Sequence, residues 1–327
     1  MIPLARTLVP LALLALAASG CTTSATAATT PTVVATTTQL GSIVGDIATC
    51  TGSTSATLMG PGDDPHDFSV SSREVATMAR AKLVVSNGLG LEAGLASTLG
   101  NLASDGARIL EVAPLLDPLS YADIEDAAAS DHDGHDHEHA GVDDGHGHDA
   151  DGYDPHVHLD ASRMATAARL IGAELTAATG DARFADCGLQ VETALRATDD
   201  EVRRILTAVP EDRRVLVTDH EAYNYFAAAY GFEVAGVVIP GGSTDAEPSS
   251  TELAALVEVI RTDGVRAVFS NNTVNPRLVD AVARESGTTI QVVQLYEGSV
   301  GPQGSGAETY AGMMTTNARL IADALGA

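Results

Sequence analysis

Basic residues are scarce in this chain: 18 lysines and arginines stand against 44 acids, a formal charge of −26 over 327 residues. That deficit argues against nucleic acid or anionic lipid headgroups as partners, since both call for a cationic surface, and it suits a cationic ligand. Cysteine is also rare, three in all with no CxxC spacing, which argues against a thiolate zinc module. Neither an HExxH helix nor a GxSxG elbow occurs, so the signatures of zincin proteases and serine hydrolases are missing. Beyond the first twenty residues no run reaches the roughly 18 uninterrupted apolar positions that a spanning helix needs.

What is present begins with an N-terminus that reads as a secretory signal over residues 1–20. Arg6 supplies the positive start, and "LVPLALLALAASG" is an apolar stretch too short to cross a bilayer. The small residues before Cys21 resemble a bacterial lipobox, with Ala18 where leucine is more usual; the alternative is ordinary cleavage nearby with Cys21 lost or inert. Residues 21–31, rich in Thr, Ala and Ser, read as a flexible tether. The body is then expected outside the cytoplasm, held to the outer face of the cell membrane through a lipidated Cys21. In that oxidising setting the remaining pair, Cys50 and Cys187, is expected to form a disulfide; two buried thiols are the alternative.

From Thr32 short β-rich runs alternate with amphipathic stretches: "TVVATTT", "QLGSIVGDIATC", "SATLMG", "SSREVATMARA", "KLVVSNG", "LEAGLASTLGNLA" and "ARILEV". The strands are apolar on both faces, as a parallel sheet covered by helices requires. Helical pattern resumes at Asp160 and is broken only at Thr179 to Asp181. The stretch after it offers Leu189, Leu195, Val202, Ile205 and Leu206 as an apolar stripe. A second β/α series follows, from "RRVLVTD" to "ETYAGMMTTNARLIADAL". The expected architecture is α/β: a lobe over residues 32–180, a long linking helix over 181–209 and a second lobe over 210–327. A cleft would lie between lobes, with ligands outside the carboxyl ends of the strands.

Six of the ten histidines, His132, His135, His137, His139, His146 and His148, fall in one acidic run. From Asp131 to Asp154 this run has nine acids, no base and little apolar content, and it is expected to be disordered without metal. The other four sit elsewhere. His66 follows the second strand in "GDDPHDF", His156 and His158 precede a helix in "DPHVHLD", and His220 ends a strand in "VTDHEAY". In both DPH tripeptides proline fixes the backbone before the histidine, and the preceding aspartate is placed to bond a ring N–H.

The segments "GDDPHDFSVSSREVATMARAKLVVSNGLGLE", "DPHVHLD", "LVTDHEAYNYFAAAYGFE" and "GSGAETYAGMM" resemble those of the solute-binding lipoproteins of zinc and manganese ABC importers, over about Thr32 to Leu325. The resemblance implies two β/α lobes joined by a rigid helix, modest motion on binding, and a metal in the cleft held by His66, His156 and His220. It leaves the fourth ligand open. Relatives usually have an aspartate in "LYxDSLG", whereas "LYEGSVG" puts Gly298 there and Glu297 one residue earlier. Glu297 is the expected ligand; water or another carboxylate is the alternative. His158 falls where relatives often have tryptophan and is expected to line the pocket, and Asn271 replaces a usual glutamate.

Three imidazoles and one carboxylate suit Zn²⁺ as the transported ligand, while manganese prefers more oxygen. The implied partner is an ABC permease, with or without a metallochaperone, and the chain is expected to be a monomer and not an enzyme. The histidine-rich run is expected to serve as a low-affinity trap or sensor of zinc, or as an insertion with no role of its own. Two other readings stay open: a secreted zinc hydrolase with water on an open coordination position, and a metal buffer or adhesin without a transporter.

Overall fold

The computed structural model describes residues 30–122, 124, 152–244, 247–262, 264–287 and 290–326. Cys21, the signal and tether residues before position 30, and the six clustered histidines lie outside the described residues. The last residues of the expected disordered run do not follow that expectation. Tyr153 forms a β-bridge with Ser120, and Asp154 is fully buried, so the fold resumes at Gly152 and not after Asp154.

Among the described residues, eight strands form two sheets of four. The first holds β1 (Val33–Ala35), β2 (Ser55–Thr57), β3 (Leu83–Ser86) and β4 (Ile109–Glu111) in the order β2-β1-β3-β4. The second holds β5 (Val215–His220), β6 (Glu233–Ile239), β7 (Ala267–Asn271) and β8 (Gln291–Leu295) in the order β6-β5-β7-β8. Every pairing is parallel, and the order within the two sheets is the same. Parallel pairing needs crossover connections, which are the helices α1 (Thr38–Thr51), α2 (Ser72–Met78), α3 (Ala96–Ser104), α6 (Asn224–Tyr230), α7 (Ser250–Thr262) and α8 (Arg277–Glu285). α4 (Ala161–Thr179) and α5 (Arg183–Leu206) come between the sheets in the chain, and α9 (Tyr310–Gly326) closes it. No described helix is long and apolar enough to cross a membrane.

Helix ends follow the local chemistry. The Thr37 hydroxyl accepts from the Leu40 N–H to start α1, and Ser71 and Glu74 form a reciprocal capping box at α2. Asp160 accepts from the N–H groups of Ser162 and Arg163 to start α4. Gly180, at φ 77°, ends that helix in the left-handed region, as the Thr179 to Asp181 break predicts.

Alternate residues of each strand serve different cores. Val33, Ala35, Leu83 and Val85 point to one large core, while Val34 and Val84 point away to a cluster with Met78, Leu95 and Leu99. The second sheet repeats this: Leu216, Ala267 and Phe269 join the large core, whereas Val217 and Val268 face Leu256 and Ile260. The inner faces of both sheets therefore share one continuous core, filled by α1, α4, α5 and α9. Burial of each large side chain in it contributes about 1.5–3 kcal/mol.

α5, about 36 Å long at 1.5 Å per residue, buries Phe184, Cys187, Val191, Leu195, Val202 and Leu206. Leu189 does not belong to this stripe: it is 49 % exposed, and the inward positions are set by packing against α4. There Gly172 and Gly188 face each other so closely that a Cβ on Gly188 would lie 2.9 Å from the Ala168 carbonyl and 3.0 Å from the Gly172 Cα. Only glycine permits backbones to approach this closely, and this fixes the crossing of the two helices.

Cys50 near the end of α1 and Cys187 in α5 form the disulfide, with Cα atoms 5.9 Å apart across 137 residues. Constraining so long a loop in the unfolded chain stabilises the folded one by about 2–5 kcal/mol. The double variant Cys50→Ala/Cys187→Ala is expected to unfold at lower urea with a loss of that size. A midpoint equal to that of the oxidised parent would show the bond to be energetically idle.

Candidate metal centre

Each site residue sits where a strand ends or a helix begins. His66 lies in the loop after β2, His156 immediately before a short 3₁₀ turn (Val157–Leu159) that leads into α4, His220 is the last residue of β5, and Glu297 follows β8 by two positions. All four are buried. Carboxyl ends of both sheets thus contribute to one place, as expected for ligands of open α/β sheets.

The imidazoles converge on their Nε2 atoms. His156 Nε2 is 3.3 Å from His66 Nε2 and 3.4 Å from His220 Nε2. Two nitrogens bound to a tetrahedral zinc at ~2.0–2.1 Å stand about 3.3–3.4 Å apart, so the spacing is that of an edge of the zinc tetrahedron. Among the described residues His66, His156 and His220 form the one group of histidine, cysteine and acidic side chains close enough to hold an ion. The Glu297 carboxylate stands just outside this spacing, with Oε2 at 3.8 Å from His220 Nε2 and Oε1 at 4.0 Å from His156 Nε2. Oε1 also lies 3.3 Å from His158 Nε2.

Carboxylates aim the rings. Asp154 Oδ1 is 2.8 Å from His156 Nδ1 and also accepts the His156 backbone N–H. Its Oδ2 accepts from Asn224, and its carbonyl accepts from the Tyr225 hydroxyl. Asp219 Oδ1 is 3.1 Å from His220 Nδ1, while Oδ2 accepts the Asn271 N–H at 2.6 Å. With Nδ1 as donor, each ring turns its Nε2 toward the centre. The second DPH tripeptide works differently from the first. Asp64 accepts the backbone N–H of His66 and, through its other oxygen, the Thr244 hydroxyl of the second half of the chain.

Further residues position these, and the sequence reading missed them. Glu92, buried, accepts from Thr36 and from the backbone of Asn87 and Gly88. It holds Gly88, Leu89 and Gly90, all at positive φ, in a tight loop. From that loop the Asn87 amide donates to the Pro155 carbonyl beside His156. Asp219 was within reach of sequence reasoning, because it precedes His220 as a carboxylate directly adjacent to a candidate ligand. Glu92 and Asn224 carry no such local signal. Asn271, where relatives usually have glutamate, holds the site through its backbone N–H to Asp219 and its side-chain oxygen, which accepts the Gly298 N–H.

Electrostatics divide the histidines. Burial, then the charge of His220, lowers His66, and burial with the neighbouring imidazoles His220, His66 and His158 lowers His156 well below its usual value. Burial would lower His220 too, but Glu297 and Asp219 outweigh it and raise that ring to about 9. Glu297 is itself held below the usual carboxylate range despite its burial, by His220 and His158. Burial raises Asp154 to about 8, against the hydrogen bonds from His156 and Asn224. A metal needs all three lone pairs, so the proton on His220 must leave on binding. Since the group is protonated below about 9, affinity is expected to rise with pH up to that value, roughly tenfold per unit for each proton released. Calorimetry at about pH 7.5 in buffers of different ionisation enthalpy should report at least one proton released per ion. A buffer-independent enthalpy would contradict the protonated His220.

Known proteins share the sequence pattern and the fold. The family described as zinc-uptake complex component A, periplasmic (ZnuA), matches residues 33–324. The zinc-binding protein TroA of Treponema pallidum is 29% identical over 278 residues, 82% of this chain and 80% of that protein. The manganese-binding lipoprotein MntA of Halalkalibacterium halodurans is 27% identical over 266 residues, 78% of this chain and 76% of that protein. The solved structure of the Treponema pallidum TroA covers 91% of this chain and 99% of its own, with a TM-score of 0.76 and 28% identity. With two parallel β/α sheets, a triad of convergent imidazoles and a family match over nearly its whole described length, the chain belongs to the ZnuA family: it is the metal-binding, substrate-binding protein of an ABC importer, it works with a membrane permease, and it is not an enzyme.

Proposed function

We propose that the cargo is Zn²⁺, held by His66, His156, His220 and one oxygen of Glu297, and handed to the permease for uptake. The observation that carries this reading is the 3.3 and 3.4 Å spacing of the Nε2 atoms, which suits a small tetrahedral ion. Manganese, which prefers more oxygen donors, would find three nitrogens and a single carboxylate here. The relatives themselves divide, TroA being named for zinc and MntA for manganese, so donor chemistry and not kinship supports the choice. Copper and nickel rank above or near zinc for nitrogen donors, and the isolated protein should take them as well.

In this reading residues 32–180 and 210–327 act as the two lobes and 181–209 as a stiff strut, so that closure on metal is small. Cleavage after residue 20 and diacylation of Cys21 would tether the protein as a monomer near its permease, on the outer face of the membrane. His132, His135, His137, His139, His146 and His148 would gather zinc weakly and raise its concentration near the cleft. A metallochaperone could load the site without changing these roles.

A competitive zinc titration of residues 22–327, beside a version lacking residues 131–148 and a His156→Ala variant, tests the assignment. One tight site is expected to survive the deletion. His156→Ala is expected to weaken it by more than the roughly 10–100-fold that loss of an orienting partner costs. Tight binding that vanishes with the deleted segment would instead make the protein a flexible metal buffer, and manganese competing on equal terms would sink the choice of zinc.

A further inference from the structure

His158 is absent from the triad, yet its ring is as buried as theirs. The ring lies in the 3₁₀ turn between His156 and α4, its centroid 5.8 Å from that of His156. The Tyr310 hydroxyl donates to its carbonyl at 2.8 Å, which pins the backbone. Its Nε2 meets Glu297 Oε1 at 3.3 Å. Among the described residues neither ring nitrogen of His158 and neither oxygen of Glu297 has an aligned hydrogen-bond partner. Three of these atoms, His158 Nε2 and the two Glu297 oxygens, lie beside one another and the triad, and an unpaired buried polar atom is costly enough that each is expected to find a partner when the site fills.

The two oxygens of Glu297 are not equivalent. Oε1 is 3.3 Å from His158 and 4.0 Å from His156, while Oε2 has the triad ring of His220 at 3.8 Å. An inward movement that brings Oε2 to a metal lets Oε1 stay on the imidazole, which can donate Nε2–H to it. We propose that His158 is a specificity-determining residue: by occupying Oε1 it holds Glu297 to one-oxygen ligation, which completes a four-coordinate site and denies a fifth, oxygen donor to ions that need it. Zinc is satisfied by four ligands, whereas manganese gains from two carboxylate oxygens. The inference rests on the ligand set proposed above and adds a residue that touches the carboxylate and not the metal.

The test uses the full chain, with zinc and manganese affinities from competition against a chelator and the visible spectrum of the Co²⁺-loaded protein. His158→Phe removes the donor and fills the space; His158→Gln keeps an N–H donor. With phenylalanine the zinc-to-manganese affinity ratio is expected to fall at least tenfold, and the intense absorption of four-coordinate cobalt should weaken as a fifth ligand enters. The glutamine variant should keep both near the parent. If the phenylalanine chain does not fold, His158→Leu takes its place. An unchanged ratio and spectrum in a phenylalanine or leucine variant that still binds one zinc overturns the inference. So does a loss of zinc as complete as that of His156→Ala, since His158 would then be a ligand itself. Glu297→Gln separates the two levels: if it leaves zinc affinity and the cobalt spectrum untouched, the ligand set has failed and this inference with it, whereas if it alters them and His158→Phe does not, the ligand set stands and only the role of His158 is lost.

Discussion

Three buried imidazole nitrogens, all within 4.8 Å of one another, impose the condition that the rest of the site must satisfy. They converge on a common centre, and burial disfavours positive charge on His66 and His156. Left to themselves the rings would turn away or take the other tautomer. Asp154 and Asp219 prevent this for His156 and His220 by accepting at Nδ1, and each is a buried polar group that needs its own partners. Asn224 and the His156 backbone serve Asp154, and the Asn271 backbone serves Asp219. The polar network therefore extends outward until both oxygens of Asp154 and of Asp219 are met, and its members come from α6, β5 and β7 as well as from the loops that carry the ligands.

Such a network tolerates little relative movement of its supports. Ligands come from both sheets, so a shift of the sheets by even an ångström would open the 3.3 Å contacts. The fold answers with a core that both inner sheet faces share, and with α4 and α5 crossing at Gly172 and Gly188. Interiors packed at crystal-like density resist deformation, so helices seated in one core act as a strut. Across the site itself the contacts are few and polar: Asp64 with Thr244, Gly62 with Ser299, and Gln39 with the Glu297 carbonyl. This asymmetry, apolar and continuous at the back, polar and separable at the mouth, suits a protein that must hold an ion firmly and still let it go.

Much of this was legible in the chain. Apolar strands alternating with amphipathic helices specify parallel sheets because the physics is local: period, caps and turn glycines act over a few residues, as at Thr37, Ser71 and Gly180. His66, His156 and His220 stood out because each follows a strand or precedes a helix, and the resemblance to the metal-importer lipoproteins then implied that they are the ligands. The failures have one cause. Leu189 fits a helical stripe by spacing, but the inward face of α5 is decided by where α4 lies, which no local period encodes. Asp154 looked like part of an acidic low-complexity run, and only its contacts with His156, Asn224 and Tyr225 mark it as structure. Asp64 has the same local sequence as Asp154 and a different job, because its partner is Thr244, 180 positions away.

The place of the carboxylate shows how one such distant contact can rewrite a motif. The resemblance leads to an aspartate where Gly298 stands, and there the structure leaves no room for a side chain. A Cβ on Gly298 would lie 2.4 Å from the Thr273 hydroxyl, 2.8 Å from its methyl and 3.1 Å from the Asn271 side-chain oxygen. That oxygen is committed to the N–H groups of Gly298 and Thr273, so it cannot withdraw without leaving them unpaired. With Asn271 and Thr273 in place, a carboxylate must enter from the neighbouring position. Glu297, one methylene longer than aspartate, is fully buried there with its N–H bonded to Asn272 and its carbonyl to Gln39. The carboxylate at 297, and not at 298, thus fits the packing that Asn271 and Thr273 impose.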